Sequence, residues 1–346
     1  MSHPLQSFRT FLQGRKESDP AGGPSGPTRG LMTLCVDGLV YLFVRLAIAI
    51  IGVFSIEACH EMAIFLAVLF TDVFPVRKRV LEENLTIAFP DASPKERRRL
   101  TRKMWEHLFL MGGEFVLARR VLHQNNWVRF IETKDAQTMV RLFFQKRPLI
   151  MVTGHLGNFE MGGYSLGLLG YPTFSVARSL DNPFLNRYIA NLRESTGQFL
   201  IEKNGGYEDI LTIMENRGLV AFLADQSAGP KGCWVDFFGH PASAYKAMAL
   251  LSLQYNAPIL VCSATRQGGP MRFRIEPLGL FDPENPPEGV ATPFEITQWF
   301  TTLLEEGIRR DPGEYWWLHR RWKDYGRQIS IDTIRRKIRF RPQLPR

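Results

Sequence analysis

The chain has 346 residues, 45% of them hydrophobic, and carries 43 Lys and Arg against 34 Asp and Glu, a formal net charge of +9. That is enough for one large domain, or one domain with an anchor, and ample for a core. A sequence pI of about 9.5 suits an anionic partner, such as nucleic acid, an anionic membrane surface or an acidic carrier protein. The basic residues are scattered without an aromatic stacking pattern, so no nucleic-acid partner is expected. The cysteines Cys35, Cys59, Cys233 and Cys262 form no C-x-x-C pair and show no metal-ligand spacing, which reads as reduced, mostly buried residues and no metal site.

Residues 1–30 are polar and rich in Gly, Pro and Ser, and are expected to be disordered. No signal-peptide pattern is found there. Leu39 to Ile56 is an apolar run with one charge, Arg45, and a second apolar run, Met62 to Phe70, follows a polar break at residues 57–61. A span needs about 20 residues. A single span, a shallow hairpin and a buried helical pair on the main domain all fit these lengths. Basic residues flank the runs on both sides (Arg15, Lys16, Arg29; Arg77, Lys78, Arg79), so charge gives no orientation. Next, Ser93-Pro94-Lys95-Glu96 predicts a helix start with Ser93 as N-cap, Pro94 at N1 and a capping box closed by Glu96. Leu100, Met104, Leu108, Met111 and Phe115 continue it near period 3.6.

Leu149 to Val152 is short and wholly apolar, and predicts a buried strand. Gly154 and Gly157 bracket His155 in a turn, and Phe159-Glu160-Met161 opens a helix. A histidine at the carboxyl end of a buried strand is where α/β folds place their chemistry. Imidazole takes a proton from an alcohol near neutral pH, and does so better when a carboxylate holds its other nitrogen. Glu160 is the carboxylate expected to do this, with His155 in the turn and Glu160 in the first helical turn. The bland alternative is a surface histidine beside a glutamate that suits the helix dipole.

Further on, Thr173 to Ala177 predicts a strand leading to Arg178, an expected phosphate-binding side chain; its alternative is a salt bridge to Asp181 or Asp225. Arg193 falls on the following helix. Gly218 to Ala224 reads as another buried strand ending in Asp225-Gln226. Phe237 and Phe238 are expected in the core. Ser243 to Asn256 predicts a helix, Pro258 to Thr265 a strand, and Met271 to Glu276 its antiparallel neighbour. Ile296, Trp299, Phe300, Leu303 and Leu304 share one helix face. His319 lacks a strand–turn–Glu setting and reads as structural. The tail from Arg327 is basic, resting on anionic lipid or solvated.

Gly154-His155-Leu156-Gly157-Asn158-Phe159-Glu160 resembles the histidine, four residues, acidic residue motif of glycerolipid-type acyltransferases, in the form found in the late acyltransferases of lipid A biosynthesis. Further segments carry the resemblance from about Arg77 to Lys323. They are Arg77 to Pro90 with its Asn-Leu and Phe-Pro, Arg178 followed by Asn182-Pro183, Arg193 before Gly197, Asp225-Gln226, Phe237-Phe238-Gly239, and Pro312 to Lys323. The Pro-Glu-Gly element of the more distant glycerol-phosphate enzymes is missing. Leu156 departs from the aromatic residue common there in relatives.

The resemblance implies an α/β fold, a mixed and mostly parallel sheet flanked by helices, behind an N-terminal hydrophobic anchor. The implied division is a tail at 1–30, an anchoring segment at 31–76, a catalytic domain at 77–325 and a basic tail at 326–346. It implies transfer of an acyl chain from a thioester of acyl carrier protein or coenzyme A to a hydroxyl of a lipid A precursor or related glycolipid, at the cytoplasmic face of a bacterial inner membrane. His155 would be general base with Glu160, and Asn158, Arg178, Arg193, Asp225 and Gln226 would bind substrate, Asn158 as an oxyanion donor. No cofactor beyond the co-substrate is expected. A lysophospholipid acyltransferase, a membrane-associated hydrolase and a non-catalytic anionic-lipid-binding protein are the alternatives.

Overall fold

The computed structural model describes residues 30–203, 205–326 and 329–340. Its strands are β1 (Ile131–Thr133), β2 (Leu149–Thr153), β3 (Thr173–Ala177), β4 (Gln198–Glu202), β5 (Leu219–Leu223), β6 (Cys233–Phe237), β7 (His240–Ala244), β8 (Ile259–Arg266) and β9 (Phe273–Phe281). All but β6 and β7 form one sheet in the order β1-β9-β8-β2-β5-β3-β4. Every pairing in it is parallel except β8 with β9. The expected mixed, mostly parallel sheet is therefore present.

The helices are α1 (Leu31–Val53), α2 (Ile56–Val68), α3 (Lys78–Ala88), α4 (Pro94–Val121), α5 (Ala136–Phe144), α6 (Phe159–Leu168), α7 (Pro183–Glu194), α8 (Tyr207–Glu215), α9 (Ala247–Tyr255), α10 (Pro293–Arg310) and α11 (Ile331–Arg335). They cover both faces of the sheet. In β2, Ile150 and Val152 face a core completed by Ile213, Met248, Leu251 and Phe300 of α8, α9 and α10. Leu149 and Met151 face another, completed by Ala118, Met139, Leu142 and Met161 of α4, α5 and α6. A strand buried on both faces reads as a continuous apolar run, which is why β2 was legible from its four apolar residues. A third cluster joins α3, α4 and the β6–β7 hairpin to residues 315–318 through Leu85, Met104, Phe237 and Trp317.

The Ser93–Glu96 capping box is formed as expected, and Thr292 with Glu295 makes a second one at α10. The helix predicted over Ser243–Asn256 starts only at Ala247. Residues 240–244 instead pair with 233–237 across a two-residue turn at Phe238 and Gly239, whose φ values are +55° and +76°. Such turns favour Asn-Gly or Asp-Gly, so Phe-Gly gave no signal. Phe237 and Phe238 are buried, as expected.

Leu31–Val53 is the one single helix among the described residues long and apolar enough to cross a membrane, with mean hydropathy 2.2 and no buried residue. The α2 helix behaves differently: Cys59, Ala63 and Ala67 are buried, and His60 lies 3.1 Å from Glu106 of α4. α1 touches the rest of the protein along its length. Asn182 donates to the Asp37 carbonyl at 2.8 Å, the Arg45 guanidinium lies 4.4 Å from the Tyr188 ring centre, and Arg120 donates to the Gly52 and Phe54 carbonyls. The expected tail at 1–30 lies almost wholly outside the described residues. Of the expected C-terminal tail, α11 is packed, with Ile334 buried and Arg335 donating to Asp236 at 2.7 Å.

Candidate active site

β2 and β5 are parallel neighbours in register, with Thr153 opposite Leu223. Two residues further along each chain stand His155 and Asp225, so the register carries the two side by side at the carboxyl edge of the sheet. Asp225 Oδ2 accepts the His155 backbone N–H and Oδ1 accepts from Nδ1, both at 2.8 Å. The turn that presents His155 needs glycine at 157: φ is +64°, and a Cβ there would lie 2.2 Å from the Ala264 carbonyl oxygen. The C-terminal segment is laced to the same turn. Gly157 N–H donates to the Glu314 carbonyl and Trp316 N–H to the His155 carbonyl, each at 3.0 Å.

Asp225 is 2% exposed. Burial alone would raise its carboxyl, but the neighbouring His155 charge and the hydrogen bonds from His155 carry it well below the usual carboxylate range. A carboxylate on Nδ1 puts the proton there and leaves the lone pair on Nε2, the arrangement of a general base. Around the imidazole stand Phe159, Trp316 and His319, with ring centres 5.1, 5.4 and 4.6 Å away. Burial, then the charge of His155, pushes His319 down to about 4. Beneath them burial and the Asp225 charge hold the Tyr315 phenol well above its usual range.

The expected His155–Glu160 pair is not formed. Glu160 sits in the first turn of α6 as predicted, but its carboxylate is taken by Arg193 of α7, which donates from Nε at 3.0 Å and from Nη2. Asn158 is also unlike its expected role. Its side chain caps α6 at Met161 N–H and donates to Glu114 at 2.8 Å, its backbone N–H goes to Ala264, and the residue is fully buried. Its side-chain oxygen and one amide hydrogen are thus engaged within the fold. Arg178 lies at the end of β3, largely exposed, and pairs with Asp181 at 2.9 Å. Gln226 follows Asp225, half-buried.

Behind the turn lies a second buried cluster that sequence reading missed: His107 and Glu114 of α4, Arg266 at the end of β8, and Glu314. Arg266 donates to both Glu114 oxygens and, at 2.9 Å, to His107 Nδ1. His107 Nε2 donates to the Gly157 carbonyl at 3.1 Å, so the tautomer is fixed. Burial, then the Arg266 charge, pushes His107 down to about 3. Burial pushes the Glu314 carboxyl up to about 7, against the opposing charge of Arg266. The available signal was spacing: His107 and Glu114 sit seven apart among Met104, Leu110 and Leu117, polar residues on the buried stripe of an amphipathic helix.

An apolar cavity opens beside the turn, on the α4–α5–α6 side of the sheet. Met139, Met151, Leu166, Ala221 and Ile275 line it, and Phe159, Glu160 and Arg193 border it. Phe159 thus lies between the cavity and the His155 ring.

The profile of the family described as bacterial lipid A biosynthesis acyltransferase matches residues 33–324. The chain is 23% identical over 256 residues to the lipid A biosynthesis lauroyltransferase of Escherichia coli (strain K12), covering 71% of this chain and 79% of that protein. It is 24% identical over 251 residues to the lipid A biosynthesis palmitoleoyltransferase of the same strain and to the lipid A biosynthesis acyltransferase of Shigella flexneri, with the same coverage. Among solved structures, the 1-acyl-sn-glycerophosphate (LPA) acyltransferase PlsC from Thermotoga maritima overlays 78% of this chain and 98% of its own, at 11% identity and a TM-score of 0.36. A family match across residues 33–324, most of the chain, makes this protein an acyltransferase of the bacterial lipid A biosynthesis acyltransferase family.

Proposed function

We propose that the protein moves a fatty acyl chain from an acyl thioester, carried by acyl carrier protein or coenzyme A, to a hydroxyl of a lipid A precursor or related glycolipid. The hydrogen bond from His155 Nδ1 to buried Asp225 carries this reading. His155 Nε2 takes the hydroxyl proton as the oxygen attacks the thioester carbon, then returns a proton to the leaving thiolate. Asp225 holds the tautomer and steadies the imidazolium. The acceptor hydroxyl is itself the nucleophile, so no acyl-enzyme forms and no cofactor takes part. Glu160 and Arg193 act as a pair at the cavity rim, and the apolar cavity takes the acyl chain.

The proposed place of work is the cytoplasmic face of the bacterial inner membrane. α1 supports contact with lipid, because Leu42, Phe43 and Leu46 are 62%, 72% and 60% exposed. At 1.5 Å per residue, the domain contacts between Asp37 and Gly52 are spread over about 22 Å of helix. A helix held to a polar domain over that length is better suited to lie along the interface than to cross it. Replacing Leu42, Phe43 and Leu46 by Asp in the full chain is expected to weaken sedimentation with anionic vesicles.

The direct test is transfer by purified protein in detergent, with acyl carrier protein and coenzyme A thioesters as donors and a lipid A precursor or a lysophospholipid as acceptor. Transfer to the lipid A precursor, lost in His155→Ala, is expected. Release of free fatty acid at the same rate with and without acceptor would overturn the reading in favour of a hydrolase.

A further inference from the structure

We propose that His319 is a second catalytic residue of this site, donating a hydrogen bond from Nε2 to the thioester carbonyl oxygen as it becomes an oxyanion. The proposal rests on the acyl-transfer reading above and adds a group that reading leaves unassigned. The two imidazole rings are in edge contact, with centres 4.6 Å apart at an interplanar angle of 70°. His319 Nε2 is buried and has no hydrogen-bond partner among the described residues. A buried polar group without a partner leaves its desolvation uncompensated. A nitrogen that meets its partner only when substrate arrives accounts for that cost at this position.

The surrounding structure holds the ring in place beforehand. Asn84 of α3 donates to the Trp317 and His319 carbonyls, and Arg77 donates to the Leu318 carbonyl at 2.8 Å. The Trp316 indole stacks on the His319 ring, with centres 5.5 Å apart at 20°. Trp316 N–H is bonded to the His155 carbonyl, so the segment carrying His319 is fixed to the residue carrying the base. A donor fixed before the reaction needs no reorganisation as charge develops. Burial keeps this imidazole neutral at neutral pH, and a proton taken up by His155 opposes its protonation further. It therefore leaves proton uptake to His155 and acts as a neutral donor, a role open to imidazole.

The step balances without further reagents. The acceptor oxygen forms the C–O bond as its proton passes to His155 Nε2. The carbonyl π pair moves to oxygen, where His319 Nε2–H donates. That pair re-forms the carbonyl, the C–S bond breaks, and the thiolate leaves with the proton from His155. His319 begins and ends neutral.

The test compares wild type, His319→Ala, His319→Gln and His155→Ala in the transfer assay, with thermal midpoints recorded. His319→Ala is expected to lose on the order of 10²–10³ in kcat with KM within about threefold, the loss typical of one oxyanion donor. His319→Gln, which keeps an N–H donor, is expected to recover about tenfold of it. In ¹⁵N NMR of the wild type, a non-cleavable ketone analogue of acyl-pantetheine, with CH2 in place of the thioester sulfur, is expected to move the His319 Nε2 resonance. A kcat within threefold of wild type for His319→Ala overturns the proposal. So do equal losses in Ala and Gln with lowered thermal midpoints and an unmoved Nε2 resonance. If His155→Ala also transferred at the wild-type rate, it is the acyl-transfer reading that fails.

Discussion

Two buried histidines flank one loop of this protein, and their neighbours give them opposite chemistry. His155 has a carboxylate, Asp225, on Nδ1. His107 has a guanidinium, Arg266, on the same atom and donates its Nε2–H to the carbonyl of Gly157, two residues beyond His155. A proton added to His155 is stabilised by the charge beside it, whereas a proton added to His107 meets a cation. Residue type alone therefore does not decide what a histidine can do; the charge on its second nitrogen does. The cluster around His107 serves the other by holding its loop: Glu114 grips Asn158, Arg266 and the Met271 backbone.

Breaking the His155 side should produce the largest effect. His155→Ala is expected to lower acyl transfer by about 10³-fold or more, the scale of losing a general base and its hydrogen-bonded partner together, measured as kcat per folded protein. Breaking the other side should appear in stability. Glu114→Gln takes the directly bonded carboxylate away from the largely buried Arg266 guanidinium, with Glu314 3.6 Å away. Removing one partner of a buried ion pair costs about 3 kcal/mol or more, which denaturant unfolding would read directly.

A smaller effect sharpens the comparison through pH. His107 is held at about 3 in the fold, while an unfolded histidine titrates near 6.5. The unfolded chain thus binds a proton that the fold refuses, so this residue makes stability fall as pH drops below about 6.5. The loss amounts to about 2 kcal/mol between pH 6.5 and 5. His107→Gln keeps an acceptor for Arg266 and a donor for Gly157, and should remove that slope. Subtracting its unfolding free energies from those of the wild type, pH by pH, isolates the term. The smallest effect concerns the cavity: Ala221→Leu narrows it and should shift the preferred acyl donor toward shorter chains in a competition assay.

Much of the fold was legible because it obeys short-range rules. Leu149–Val152 of β2 and the whole of β5 are uninterrupted apolar runs, the Ser93 capping box is a local pattern, and Gly157 beside His155 marks a turn that only glycine fits. The pairing of His155 was not legible in the same way. Glu160 is five residues away in sequence and Asp225 is seventy, yet Asp225 is the neighbour, because β2 and β5 lie side by side in parallel register. Linear spacing favours local partners; strand order decides the real ones. Asp225 entered the sequence reading as a binding residue for that reason. Asn158 is open to two readings because a polar residue at a helix start fits an N-cap as well as a site, and here its side chain caps α6 and holds Glu114.

The most direct test of the central claim is acyl transfer by Asp225→Asn measured beside Glu160→Gln, with both proteins folded. If Asp225 holds the base, Asp225→Asn loses at least about 10²-fold in kcat while Glu160→Gln stays within about tenfold of wild type. Loss of transfer in Glu160→Gln with activity kept in Asp225→Asn would contradict the account and return the base's partner to the acidic residue of the sequence motif.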